Sequence, residues 1–214
     1  QLGETSAMVY GHPAEVMTTF GVTGTNGKTT VTYMLAAALQ ALGEPTGLIG
    51  TTGTFVAGQR LATVRTTPEA PELQALMALM VDAGQRALAM EVSSHALALG
   101  RADGIMFDIA AFTNLSPDHL DFHPSMQEYF GAKASLFTSR RCRRGVINTD
   151  DGWGRRLARE ASIEHVTYAV SGPADWTVRG VVADASGSTF EAVNGQTAVP
   201  VRVRAPGMFN VANA

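Results

Sequence analysis

A lysine, two glycines and four threonines crowd into the eight residues Thr23-Gly24-Thr25-Asn26-Gly27-Lys28-Thr29-Thr30, and that combination can grip a chain of phosphates. Gly24 and Gly27 permit positive φ and let backbone N–H groups approach phosphate oxygens. Lys28 has the reach for the β- and γ-phosphates, the Thr29 hydroxyl suits Mg2+, and a helix starting here adds a favourable dipole. The ligand these groups call for is ATP. The general pattern G-x-x-x-x-G-K-[ST] wants glycine at position 22, where the chain has Val22, with Gly21 one residue early and Gly24 inside the loop. The bland alternative is a glycine turn that merely caps a helix.

Three other groups of residues could do chemistry. Glu91-Val92-Ser93-Ser94-His95 follows a strand-like run, and a carboxylate there can hold Mg2+ against phosphates bound at Thr29. Its alternative is an ionic partner for an arginine. Asp118, His119, Asp121 and His123 fall within six residues. A polar turn accounts for them as well as a metal does, and Pro124 argues against a helix shared by His119 and His123, which weakens a zinc-hydrolase reading. Lys133 has apolar neighbours that point to partial burial, which lowers a lysine's pKa and makes the amine chemically available. A snorkelling surface lysine is the alternative.

These groups need a frame. Strand-like runs at 16–22, 46–50, 86–92, 107–114, 145–149 and 164–170 alternate with helical stretches at 29–42, 69–82, 126–139 and 153–160. The order predicts an α/β fold, a mostly parallel sheet with helices on both faces. Ligands in such sheets sit beyond the carboxyl ends of strands, and the chemically interesting loops here all follow strands. The β-rich runs 176–184, 188–193 and 196–203 predict a small antiparallel meander near the C-terminus, and 53–64 another hairpin turning at Ala57-Gly58.

The bulk properties narrow the classes. A chain of 214 residues can bury a sizeable core. Cys142 is the sole cysteine, so one copy can build neither a disulfide framework nor a cysteine zinc site. No apolar run approaches a membrane span and the first residues do not read as a signal peptide, so a cytoplasmic protein without a membrane partner is expected. With 16 basic and 19 acidic residues the net charge is −3, which lends no support to a nucleic-acid partner. The basic run at 140–144 is expected to be the solvated C-terminus of a helix rather than a polyanion patch.

Taken together, Thr-Gly-Thr-Asn-Gly-Lys-Thr at 23–29, Thr-Thr-Pro at 66–68, Glu-Val-Ser-Ser-His at 91–95, Phe-Thr-Asn-Leu-Ser-Pro-Asp-His-Leu-Asp at 112–121 and Tyr-x3-Lys-x2-Leu-Phe around Lys133 resemble the Mur ligase family. The likeness is to the central ATP-binding domain of its tripeptide synthetases. It implies that the D-Glu carboxylate of UDP-MurNAc-L-Ala-D-Glu takes the γ-phosphoryl group of ATP, and that the resulting acyl phosphate is attacked by the amine of a third amino acid. By the same resemblance Thr23, Gly24, Thr25, Asn26, Gly27, Lys28 and Thr29 bind ATP, with Asn210 and Asn213 near the adenine. Thr29 and Glu91 serve one Mg2+ and His119 a second, which a CO2-derived carbamate on Lys133 supports. Thr66, Thr67, Ser93 and Arg101 bind the nucleotide-sugar peptide, Arg101 pairing with a carboxylate. Leu99 and Arg65 stand where relatives carry Gln and Asn, which touches the fine substrate contacts.

The resemblance also implies a division of the chain. Residues 1–15 would be a linker from an N-terminal UDP-binding domain, 16–206 the central domain, and 207–214 the start of a connection to a C-terminal domain that selects the amino acid. A monomer is expected, and the fragment alone is expected to lack ligase turnover. Folylpolyglutamate synthase shares the loop, the lysine and the acyl-phosphate logic, but Glu-Val-Ser-Ser-His and Ser-Pro-Asp-His-Leu-Asp favour the Mur side. An alternative of a different class is a binding module switched by ATP.

Overall fold

The computed structural model describes residues 2–214. Its strands are β1 (Thr18–Thr23), β2 (Thr46–Gly50), β3 (Gly53–Val56), β4 (Gln59–Leu61), β5 (Ala87–Glu91), β6 (Phe107–Phe112), β7 (Cys142–Asn148), β8 (Glu164–Ala169), β9 (Trp176–Asp184), β10 (Gly187–Asn194) and β11 (Thr197–Val203). They form one sheet in the order β11-β10-β9-β8-β7-β6-β1-β5-β2-β3-β4. The central strands pair in parallel. The meander joins them through a short parallel contact of β8 with the start of β9, and β10 and β11 then run antiparallel, with Pro200 of β11 opposite Glu191. On the other rim β2, β3 and β4 make an antiparallel hairpin that turns at Ala57-Gly58, both at positive φ.

The helices are α1 (Leu2–Val9), α2 (Lys28–Ala41), α3 (Ala70–Asp82), α4 (Ser94–Ala98), α5 (Met126–Ala134), α6 (Gly152–Glu160) and α7 (Met208–Asn213). Side chains alternate across a strand, so Leu88 and Met90 of β5 join a core with Leu73 and Met77 of α3 and Phe130 of α5, while Ala89 between them packs with Ala36 of α2. Phe190 and Val203 of the meander pack with Val211 of α7 and, through Met34, α2. Helices therefore cover both faces. Both α2 and α3 stop at a glycine in the left-handed region, Gly43 and Gly84, where the next amide bonds back to Leu39 and Met80. Among the described residues no helix is long and apolar enough to cross a membrane.

Two expectations are corrected. The helix expected over 126–139 ends at Ala134, because the Ser135 hydroxyl donates to Ala132 O at 2.7 Å and that of Thr138 to Ser135 O at 3.0 Å, closing separate turns. The run at 140–144 is consequently a turn and the start of β7, not a helix C-terminus. Three of its four arginines are used in ion pairs, Arg141 with Asp103 at 2.8 Å, Arg143 with Asp108 at 3.2 Å and Arg144 with Glu164 at 3.2 Å. Ahead of β1, α1 packs on α3. Gly3 sits so near Asp103 that a Cβ there would overlap its carbonyl.

The topology positions the site. β1 lies between β5 and β6, and the chain leaves it toward β2 on one side and later crosses to β6 on the other. Strand order reverses there, so the segments following β1, β5 and β6 open onto one crevice.

Candidate active site

The segment after β1 is the glycine loop, and its shape is set from β6. Thr113 Oγ1 donates to Asn26 O at 2.6 Å, Asn114 Nδ2 donates to the same oxygen at 3.0 Å, and Asn26 N donates to Asn114 Oδ1 at 2.9 Å. Gly27 has φ +89 and caps α2, while Gly24 has φ +152 and leaves no room for a side chain, since a Cβ would overlap Thr113 Oγ1. Gly24→Ala is therefore expected to displace Thr113 and destabilise the domain by about 1–3 kcal/mol. Denaturant unfolding checks this, and an unchanged midpoint would show that the approach is not tight.

Glu91 ends β5 beside Val22 of β1 and has no exposed surface. Its Oε1 accepts from Thr29 Oγ1 at 2.9 Å and from Thr51 N at 2.9 Å, and its Oε2 from Thr51 Oγ1 at 3.1 Å. Among the described residues no ion pair involves it, so the arginine alternative does not hold. Lys28 Nζ donates to Gly24 O and Thr25 O, both at 2.9 Å. Burial lowers its pKa, against the opposing pull of the Glu91 and Asp118 charges.

Lys133 is buried outright, at 1 % exposure, where partial burial was expected. Its Nζ donates to Gly24 O at 2.8 Å, the carbonyl that also takes Lys28, and lies 4.6 Å from the Tyr129 ring centroid. Burial first, and then the Lys28 charge, lower its pKa to about 6, so most of it is the neutral amine at pH 7. The snorkelling alternative is excluded. Ser125 caps α5 by accepting from Glu128 N at 3.2 Å, which fixes the start of the helix that carries Lys133.

His119, Phe122 and His123 turn around His95. The His95–His119 ring centroids are 5.0 Å apart and the His95–Phe122 centroids 4.0 Å apart. His119 is exposed, at φ +51, with Nε2 3.7 Å from Asp118. His123 is buried against the Tyr129 ring at 5.0 Å with Nε2 2.9 Å from Ser94 Oγ. Burial, followed by neighbouring positive charge, lowers the pKa of both His95 and His123.

Near the end of β5, Thr67 is buried and its hydroxyl donates to Glu91 O at 2.9 Å. Ser93 caps α4 through Ala96 N, and Thr66 Oγ1 lies 3.1 Å from Thr51 Oγ1. Arg101 Nε is 3.0 Å from Glu69 Oε1, so a carboxylate of the chain itself stands where a substrate carboxylate was expected. Asn213 lies against Gly27 and lines a cavity of about 490 Å3 with Asn26, Thr30 and Asn114. Asn210 is turned away, buried with Nδ2 donating to Pro206 O at 2.8 Å.

A family model described as the Mur ligase middle domain matches residues 22–214. The chain belongs to the Mur ligase family. It is 49% identical over 217 residues to the UDP-N-acetylmuramoyl-L-alanyl-D-glutamate–2,6-diaminopimelate ligase of Streptomyces coelicolor, covering 100% of this chain and 42% of that protein. The chain thus spans about two-fifths of the length of such curated relatives. A solved structure of a ligase with the same printed name superimposes with a TM-score of 0.86 at 29% identity, over 99% of this chain and 45% of the other. Folylpolyglutamate synthase from Mycobacterium tuberculosis, solved with ADP and AMPPCP, matches at 0.74 and 15% identity over 99% and 56%. That last likeness is one of fold.

In this Mur ligase chain Thr29 and Glu91 meet as hard oxygen donors, Glu91 without a direct ion pair among the described residues, a set that fits Mg2+. His119 and Lys133 lie around the same Tyr129 ring. Among the described residues no three His, Cys, Asp or Glu side chains gather to hold a metal, so the two do not form a ready shell. Thr51 was not singled out from sequence, and Thr113, Asn114 and Tyr129 stood in the quoted motifs without a role assigned to them. A polar residue just past the carboxyl end of a strand was the available signal for the first three.

Proposed function

We propose that the chain is the central, ATP-binding domain of a ligase that adds a third amino acid to UDP-MurNAc-L-Ala-D-Glu, with 2,6-diaminopimelate, named in its relatives, as the incoming amine. The observation that carries this reading is the meeting of three elements at the glycine loop: Glu91 on Thr29, and Lys28 and Lys133 on the Gly24 carbonyl. Phosphates lying along residues 23–29 would face the backbone N–H groups and Lys28, and Mg2+ held by Thr29 and Glu91 would offset their charge. The D-Glu carboxylate then attacks the γ-phosphorus as ADP leaves, and the amine attacks the acyl carbon as phosphate leaves. The protein's contribution is position and charge. Lys133, mostly neutral, is the form of amine that CO2 carbamylates, and a carbamate there would present carboxylate-like oxygens beside His119 for a second Mg2+.

Thr66, Ser93 and Arg101 remain the proposed contacts to the nucleotide-sugar peptide, Thr67 acting behind them. Arg101 would exchange Glu69 for a substrate carboxylate. Residues 1–15 and 207–214 are proposed to connect to UDP-binding and amino-acid-selecting domains, in a monomeric cytoplasmic enzyme. The test is ATP-dependent phosphate release by the full-length protein. Release is expected only with the nucleotide-sugar dipeptide and diaminopimelate together. Stimulation by a folate and glutamate instead would overturn the assignment.

A further inference from the structure

Tyr129 has no exposed surface, yet it touches several of the segments that meet at the glycine loop. Its hydroxyl is 3.2 Å from Thr25 Oγ1, its ring is 4.6 Å from Lys133 Nζ, and its ring contacts are His119 and His123, the latter bonding Ser94. Thr25 Oγ1 is also 3.2 Å from Ser116 O and 3.0 Å from Ser116 N. A hydroxyl has one hydrogen and two lone pairs. The arrangement that satisfies all three neighbours has Thr25 donating to Ser116 O and accepting from Ser116 N and from the Tyr129 O–H. Tyr129 and Lys133 are four residues apart, one turn of α5, and so present the same face. That face holds two consecutive loop residues, Gly24 through Lys133 and Thr25 through Tyr129.

We infer that Tyr129 is a positioning residue for the nucleotide: its hydroxyl fixes Thr25, and with Lys133 it clamps the Gly24-Thr25 peptide to α5 in the shape that receives phosphates. With no exposed surface of its own, it acts through Thr25 and Lys133. The inference deepens the ligase reading and rests on it for its kinetic readout.

The experiment is a double-mutant cycle of Tyr129→Phe and Thr25→Val in the full-length protein, with the dissociation constant of a non-hydrolysable ATP analogue as first readout and steady-state kinetics as second. Tyr129→Phe keeps the ring and removes one hydrogen bond, so it is expected to weaken analogue binding and raise the KM for ATP by about three- to ten-fold. The thermal midpoint should fall by only about 2–4 °C, the cost of one buried hydrogen bond, while kcat and the KM for the nucleotide-sugar peptide stay near wild type. Added to Thr25→Val, the same change should do little more, because the bond is already gone. Wild-type analogue binding by Tyr129→Phe, additive losses, or an equal loss for every substrate with a thermal midpoint falling further than that would each overturn the inference. A wild-type protein that binds the analogue but makes no amide would defeat the ligase reading instead, leaving the clamp to be judged on the dissociation constants.

Discussion

Lys133→Met is expected to make the domain harder to unfold and the ligase nearly inactive. Lys133 Nζ is fully enclosed, and its pKa is lowered from 10.5 to about 6. Between those two values the unfolded chain binds a proton that the folded chain does not, so wild-type stability rises with pH across that window, by about 1.4 kcal/mol per pH unit for a single group. Below about pH 6 both states are protonated and the penalty for burying the charge is present in full. Methionine, of similar length, removes the penalty. The stability gap between variant and wild type should be level below about pH 6 and shrink toward zero as pH approaches 10.5. Denaturant midpoints measured in CO2-free buffer across that range check the sign, and a gap that grew with pH would contradict it. Activity should fall by roughly 10²–10³-fold, the scale for losing one preorganised charged group at a reacting centre. The shorter Lys133→Ala should respond to added short-chain carboxylic acids, which can enter the space and restore a carboxylate.

Glu91→Gln should separate charge from hydrogen bonding. The side chain keeps its shape, the oxygen at the Oε1 position can still accept from Thr51 N and Thr29 Oγ1, and the Thr51 hydroxyl can turn to meet the new N–H donor. Stability is therefore expected to stay within about 1 kcal/mol of wild type. Turnover is expected to drop by roughly 10²–10³-fold, with a higher Mg2+ concentration needed for half-maximal rate. A magnesium titration identical to wild type would reduce Glu91 to a hydrogen-bonding hub.

Much of the frame was legible because parallel strands buried on both faces leave continuous apolar runs, and glycines mark where helices stop. The 176–184 and 46–50 strands fall at the bounds expected of them. The C-terminal part of the 126–139 stretch was not legible, since Leu136 and Phe137 continue an apolar pattern while Ser135 and Thr138 close the turns through hydroxyls, a contest that composition does not show. Helix α1 was missed because its small and polar residues carry little periodic signal, its partner being α3 far along the chain. In the site, residue types revealed Lys28, Thr29 and Glu91, whose chemistry is local to their loops. Thr51, Asn114 and Tyr129 act through partners 40, 88 and 104 residues away, and such pairings exist only once the sheet brings β1, β2, β5 and β6 side by side.

The two rims of the sheet have a consequence for solubility. An outermost strand offers a row of free amides and carbonyls on which a neighbouring molecule can build. At one rim, β4 is only three residues long and includes Arg60, which is exposed. At the other, Pro200 lies within β11 and has no amide hydrogen to offer, which edge strands tolerate where the nitrogen points away from the ladder. Both rims are thereby poor templates for strand addition, so an eleven-stranded sheet is shielded from growing by pairing with copies of itself.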